Sequence, residues 1–156
     1  MVGDNRGASL MELFMVGVAL VVLMGMVMPS FFRTLEAYRL RGAAWNLAGD
    51  LRLARQTAVS TQVRHRFCLS GCDNPVPDGG YLLEREATAS WEVLARVNVP
   101  DGVTITSNAP GDKLTFDTKG GVSGGLGTMT LTNGSGTYQV ATAITGRVRV
   151  CKGPCP

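Results

Sequence analysis

Between Ala8 and Phe32 the chain carries one ionisable side chain, Glu12, and from Leu13 to Met28 every residue is apolar or glycine. A stretch of that length can cross the core of a bilayer as a helix. Arg6 ahead of the run also suits a secretory signal peptide, but no small-residue cleavage site follows Met28, so the segment is expected to be retained. A carboxylate one turn inside such a helix needs a reason. On insertion scales a charge at the centre of the span costs about 2.5 to 3.5 kcal/mol, less near an end, and Glu12 should therefore either snorkel to the interface or have a partner.

With 156 residues, 45% of them hydrophobic, and 20 glycines, the chain has room for one folded domain beside the apolar helix. Its formal charge of +3 is too mild to imply a polyanion partner by itself, so the placement of the basic residues must decide. Four cysteines lie outside the apolar run, in the pairs Cys68 with Cys72 and Cys151 with Cys155. An even count in an exported domain favours disulfides. Gly71 and the turn at Gly153 and Pro154 let the short loops close, which favours the local pairings; bridging the first strand to the last is the rival. The spacing departs from that of a four-cysteine zinc site.

The segment Gly7-Ala8-Ser9-Leu10-Met11-Glu12-Leu13, opening an apolar helix, resembles the signal of type IV pilins and type II secretion pseudopilins. The resemblance implies a prepilin peptidase that cuts after Gly7, methylation of the new amine on Ala8, and pairing of Glu12 with the terminal amine of a neighbouring subunit. That pairing would supply the partner a buried carboxylate lacks, and in low dielectric it would set the register of assembly. Ala8 stands where the family usually has phenylalanine. Asp4 and Arg6 precede the span while Arg33, Arg39 and Arg41 follow it, so the orientation comes from the resemblance and not from the positive-inside rule. Pro29 also resembles the pilin pattern; it either bends a continuing helix or marks the membrane exit.

Beyond Pro29, Leu40, Ala44, Leu47, Leu51, Ala54 and Ala58 recur at steps of four and three, an apolar stripe on one face of a helix reaching about Ser60. Arg33, Arg39, Arg41, Arg52 and Arg55 fall on other faces, where a solvated or inter-subunit role is expected. Gly42 and Gly49 weaken the helix unless close packing uses them.

From Gln62 the texture changes to short alternating stretches that read as antiparallel strands: Val63 to Leu69, Tyr81 to Glu84, Trp91 to Val99, Val103 to Ile105, Leu114 to Asp117, Met129 to Leu131, Tyr138 to Ile144 and Arg147 to Cys151. Turn residues separate them, and Asn133-Gly134 is a strong hairpin signal. The expected fold is α+β, a long N-terminal helix laid on an antiparallel sheet, the pilin architecture. The expected organisation is a leader over 1–7, a membrane and assembly helix over 8–32, its amphipathic continuation over 33–61, and a β-rich head over 62–156. Trp91, Tyr81 and Phe116 are expected as core anchors.

The ending Thr145-Gly146-Arg147-Val148-Arg149-Val150, with the Arg66-Phe67-Cys68 strand, resembles the GspH/FimT/FimU group of minor pilins and pseudopilins. After a permissive turn at Gly146, strand alternation puts Arg147 and Arg149 on one face and Val148 and Val150 on the other. Two neighbouring guanidiniums can contact adjacent phosphates, and the glycine would let a backbone approach. In FimT-like members such a segment is implicated in binding double-stranded DNA for uptake, which carries over to Arg147 and Arg149 with Lys152 as a helper. Against this, arginines on a strand often only keep an edge soluble. Arg64 and Arg66 alternate similarly on the first strand.

Enzyme chemistry finds no support. His65 is the one histidine and lies at odd separation from Cys68 on one strand, so the two face apart. There is no Walker A loop, dinucleotide fingerprint or HExxH motif, and no cofactor is implied. The resulting expectation is a minor pilin of a type IV pilus, held singly across the bacterial inner membrane and then assembled with other pilins into a periplasmic or cell-surface filament. A type II secretion pseudopilin and a dedicated DNA receptor are the alternatives.

Overall fold

The computed structural model describes residues 10–123 and 125–155, with backbone alone at Met26, Val27 and Pro29. Gly7 and Ala8 lie outside the described residues. One helix, α1, runs over Leu10–Thr61 and is unbroken through position 29. The chain divides between Leu35 and Glu36 into two units.

In the first unit every described side chain from Leu10 to Leu35 is exposed, including Leu13, Phe14, Leu20 and Leu23. Glu12 sits in the first turn, also exposed. The helix is long and apolar enough to cross a membrane. Apolar surface of this extent left uncovered by its own chain is met by lipid or by other subunits.

The second unit, the head, is built on the rest of α1. The expected stripe is its floor: Leu40, Ala44, Leu47, Leu51, Ala54 and Ala58 are all buried, joined by Ala43 and Ala48. Burial of Leu40, Leu47 and Leu51 is worth about 2 kcal/mol each, enough to offset the ~1 kcal/mol that Gly42 and Gly49 each cost a helix. Nothing lies within 4 Å of a Cβ built on either glycine, so no packing inside the head uses them. The helix stops where Gln62 adopts a left-handed conformation (φ 55) and its Nε2 donates to the carbonyl of Val59 at 2.7 Å.

Nine strands follow among the described residues: β1 His65–Cys68, β2 Gly80–Glu86, β3 Trp91–Asn98, β4 Thr104–Ser107, β5 Lys113–Phe116, β6 Val122–Ser123, β7 Gly127–Asn133, β8 Gly136–Thr142 and β9 Val148–Lys152. All eight expected strands are present, and β6 is additional. They form two antiparallel sheets rather than one, in the orders β3-β2-β1-β5-β6 and β4-β7-β8-β9. Side-chain alternation tells a strand which face is buried but not which strand lies beside it, and here β4 leaves β3 to pair with β7. The β7–β8 hairpin turns through Gly134 and Ser135, with Asn133 paired to Gly136. Asn133 also ties the hairpin to the helix, its Nδ2 donating to the carbonyl of Glu36 at 2.8 Å.

The core between helix and sheets is filled by Phe67, Leu114, Phe116, Met129, Leu131 and Val140. Tyr81 packs its ring on Phe67, and its hydroxyl donates to Asp50 on α1 at 2.5 Å. Burial, and then the Asp50 carboxylate, raise the Tyr81 hydroxyl above its ordinary range, so it stays a donor. Trp91 departs from the expected role. It is half-exposed, and the Arg66 guanidinium lies 4.0 Å over its ring.

Candidate functional site

The Gly146 to Lys152 segment is held by a corner made from three parts of the chain. Ala143 and Arg147 are bridged by the bond from the Ala143 N–H to the Arg147 carbonyl (2.9 Å), and the Gly146 N–H donates back to the Ala143 carbonyl (2.8 Å), closing a tight turn. Gly146 has φ +75, the left-handed region. A Cβ on it would meet the Gly120 carbonyl oxygen at 2.0 Å and the Arg55 Nε at 2.6 Å. Close approach inside the head therefore requires a glycine at this position.

The loop on the other side is shaped by Asp117, whose Oδ1 accepts from the N–H groups of Lys119 (2.9 Å) and Gly121 (2.8 Å). Arg55 reaches from α1 to the Gly120 carbonyl, Nε to O 2.9 Å, and Val122 N–H donates to the Ile144 carbonyl at 2.8 Å. Arg52 on the same helix reaches the Val148 carbonyl at 3.4 Å. Both helix arginines thus brace the corner, which the sequence could not show: their spacing gave the face but not what lay opposite.

From that corner β9 leaves as the edge of the four-stranded sheet. Val148 is buried while Arg147, Arg149 and Lys152 are exposed. None of these three has a carboxylate within 4 Å among the described residues, where the ion pairs are Arg64–Glu86, Arg66–Asp73, Arg66–Glu84 and Arg85–Glu92. The end of β9 is fixed by the Cys151–Cys155 disulfide, by the Gly153 N–H donating to the Thr137 carbonyl at 2.9 Å, and by the Cys155 N–H donating to Gln139 Oε1 at 2.9 Å. The result is three unneutralised cations on a rigid edge.

Arg64 and Arg66 do not join them. Arg64 forks onto Glu86. Arg66 is buried, with Nε on Glu84 Oε2 at 2.5 Å and Nη2 on Asp73 Oδ2 at 2.6 Å. Glu84 is fully buried and takes a further bond from Asn74 Nδ2 at 2.7 Å. The Cys68–Cys72 disulfide closes the loop leading to Asp73 and Asn74, so this network pins that loop to β1 and β2. Buried charges are retained only when paired and hydrogen-bonded in this way. His65 is buried with Nδ1 2.8 Å from the Val63 carbonyl, and Cys68 is in a disulfide, so the two build no nucleophile and base.

Residues 43–146 match the family model of the type II transport protein GspH. Among solved structures, the type IV minor pilin FimU of Pseudomonas aeruginosa superposes with a TM-score of 0.57 at 20% identity, covering 74% of this chain and 90% of that one. The minor pseudopilin EpsH from the type II secretion system of Vibrio cholerae gives TM-scores of 0.61 and 0.59, both at 12% identity, over 76% and 73% of this chain and 97% of each of those. At such identities the superpositions speak for the fold alone. A comparison with curated protein sequences gives no match. The family match takes in the amphipathic end of α1 from Ala43 and strands β1 to β8, ending at Gly146 before β9, and this chain belongs to the GspH family of minor pilins and pseudopilins.

Proposed function

We propose that this chain is a minor pilin of a type IV pilus, which is processed after Gly7, anchored in the inner membrane by α1, and then inserted into the filament, where it helps to initiate or cap assembly. The observation that carries this reading is the contrast along one helix: α1 has every described side chain bare from Leu10 to Leu35, and a buried stripe from Leu40 to Ala58. The first part needs neighbours that the chain does not supply. Glu12, exposed among Leu10, Met11, Leu13 and Phe14, is suited to pair with the methylated amine of a neighbouring subunit.

Sheared filaments from a strain carrying tagged wild-type chain should contain it beginning at Ala8. Glu12→Ala should leave the head folded and the filament fraction depleted about tenfold. Loss of secretion with intact pili in a deletion strain would assign the chain to a type II system instead.

Binding of double-stranded DNA is a second reading, favoured by the unneutralised Arg147, Arg149 and Lys152 on the braced edge of β9. A few phosphate contacts would give weak, salt-sensitive and sequence-independent affinity, which several heads along one filament would reinforce.

A further inference from the structure

The two sheets have four edges, and three are protected against pairing with another chain. The β3 edge carries Glu92 and Arg96. The β6 edge is two residues long, and its Val122 N–H is already taken by the Ile144 carbonyl. The β9 edge carries Arg149 and Lys152 and is capped by Arg52 at the Val148 carbonyl. Charged side chains, short strands and covering groups are the usual means of blunting an edge. The β4 edge, Thr104-Ile105-Thr106-Ser107, has no charge and no proline.

The free groups of β4 follow from its register. Asn108 N–H donates to the Thr128 carbonyl at 3.1 Å, which makes 108 with 128 a hydrogen-bonded pair. By alternation Thr106 with Thr130 and Thr104 with Thr132 are bonded pairs too, and the backbone N–H and C=O of Ile105 and Ser107 point away from β7. Beside this edge lies a groove of about 650 Å³, between β4 and the loops at Leu69 and at Val76 to Gly79. Its lining is apolar at Leu69, Val76 and Val103 and acidic at Asp78 and Asp112, and it includes no lysine or arginine among the described residues.

We propose that this groove receives an extended segment of a neighbouring pilin, which adds to β4 as a fifth strand of its sheet and presents a lysine or arginine to Asp78 and Asp112. The proposal rests on the filament reading above, since it takes another pilin as the occupant. Main-chain bonds to Ile105 and Ser107 hold such a strand whatever its sequence, while the acidic wall selects for a basic one. An unprotected edge persists in a secreted head because assembly covers it.

The test uses the full chain in cells, with a photo-crosslinking phenylalanine analogue at Thr106 on the groove edge or at Glu92 on the β3 edge. Irradiated, sheared filaments should give a product from position 106 that joins the chain to another pilin, within a stretch that contains lysine or arginine. Position 92 should not give that product. Asp78→Lys lies on an exposed loop and should lower the yield about tenfold by like-charge repulsion. Ile105→Pro removes an outward N–H without touching the β7 ladder and should do the same, whereas Ile105→Ala, which loses the same core packing but keeps the N–H, should keep the yield. A chain that is present in filaments but gives no pilin product from position 106, or whose yield is unchanged by Asp78→Lys, overturns the added strand and leaves the filament reading standing. A chain absent from filaments overturns both.

Discussion

Gly146 lies against Gly120 so closely that a Cβ on the first would sit 2.0 Å from the carbonyl oxygen of the second, and both residues have positive φ. The contact joins the turn before β9 to the loop before β6, with Arg55 as the clasp. Gly146→Ala must relieve both a backbone clash and a left-handed φ, so it should destabilise the head by about 3 kcal/mol. Gly153 has φ +81 but open space around it, and Gly153→Ala should cost only about 1 kcal/mol. Urea denaturation of the two variants checks the difference; equal losses would mean that the corner yields easily and that Gly146 is needed for its φ alone.

Arg66 and Glu84 make the second prediction. Removing one member of a buried ion pair leaves the other uncompensated, and Arg66→Met should cost about 3 to 5 kcal/mol. Asn74 would remain the only donor to Glu84 among the contacts described. The double variant Arg66→Met/Glu84→Met should be more stable than Arg66→Met alone, because no charge is then left buried. A double variant less stable than the single one would contradict this account.

Acid should loosen the same region. Asp73 is held below the usual carboxylate range by the hydrogen bond from Arg66 and then by the charge of that guanidinium, and Glu86 is lowered first by its hydrogen bond from Arg64. A carboxylate depressed in the folded state binds fewer protons there than in the unfolded chain. Its contribution is therefore present above the unfolded value of about 4 and is lost as pH falls through the folded value. Denaturation midpoints should hold steady down to about pH 5 and fall below about pH 4, with a shallower fall in Asp73→Asn/Glu86→Gln. Asp73 is exposed and Glu86 partly so, and added salt should weaken the effect.

What the sequence disclosed was local in range. The stripe from Leu40 to Ala58 declared its own buried face because helical periodicity is a property of one segment. The turn residues bounded eight strands for the same reason. The split into two sheets was hidden, since nothing in Thr104 to Ser107 names β7 as its partner, and β6 was hidden inside a glycine-rich run because two residues carry no period. Arg66 was legible only as alternating with Arg64 on the first strand, because the partners that bury it are Glu84, 18 residues away, and Asp73 beyond a disulfide loop. Arg147 and Arg149 were legible as a pair. That the fold itself requires Gly146 needed the position of Gly120.

The DNA reading makes a prediction in which charge and fold separate. Arg147 and Arg149 are exposed, so Arg147→Gln/Arg149→Gln should leave the melting temperature of the head unchanged while weakening duplex binding. Each phosphate contact contributes about 0.9 to the slope of log affinity against log salt, so the double variant should flatten that slope by about 2. Lys152→Gln should flatten it by about 1 if that side chain also meets the backbone. Because phosphates carry no sequence information, the losses should be the same on unrelated duplexes. The full chain in detergent, titrated with a labelled duplex at two salt concentrations, gives both slopes. An unchanged slope in the double variant would leave β9's arginines with the protection of an edge strand as their role, and would place any DNA affinity elsewhere on the head.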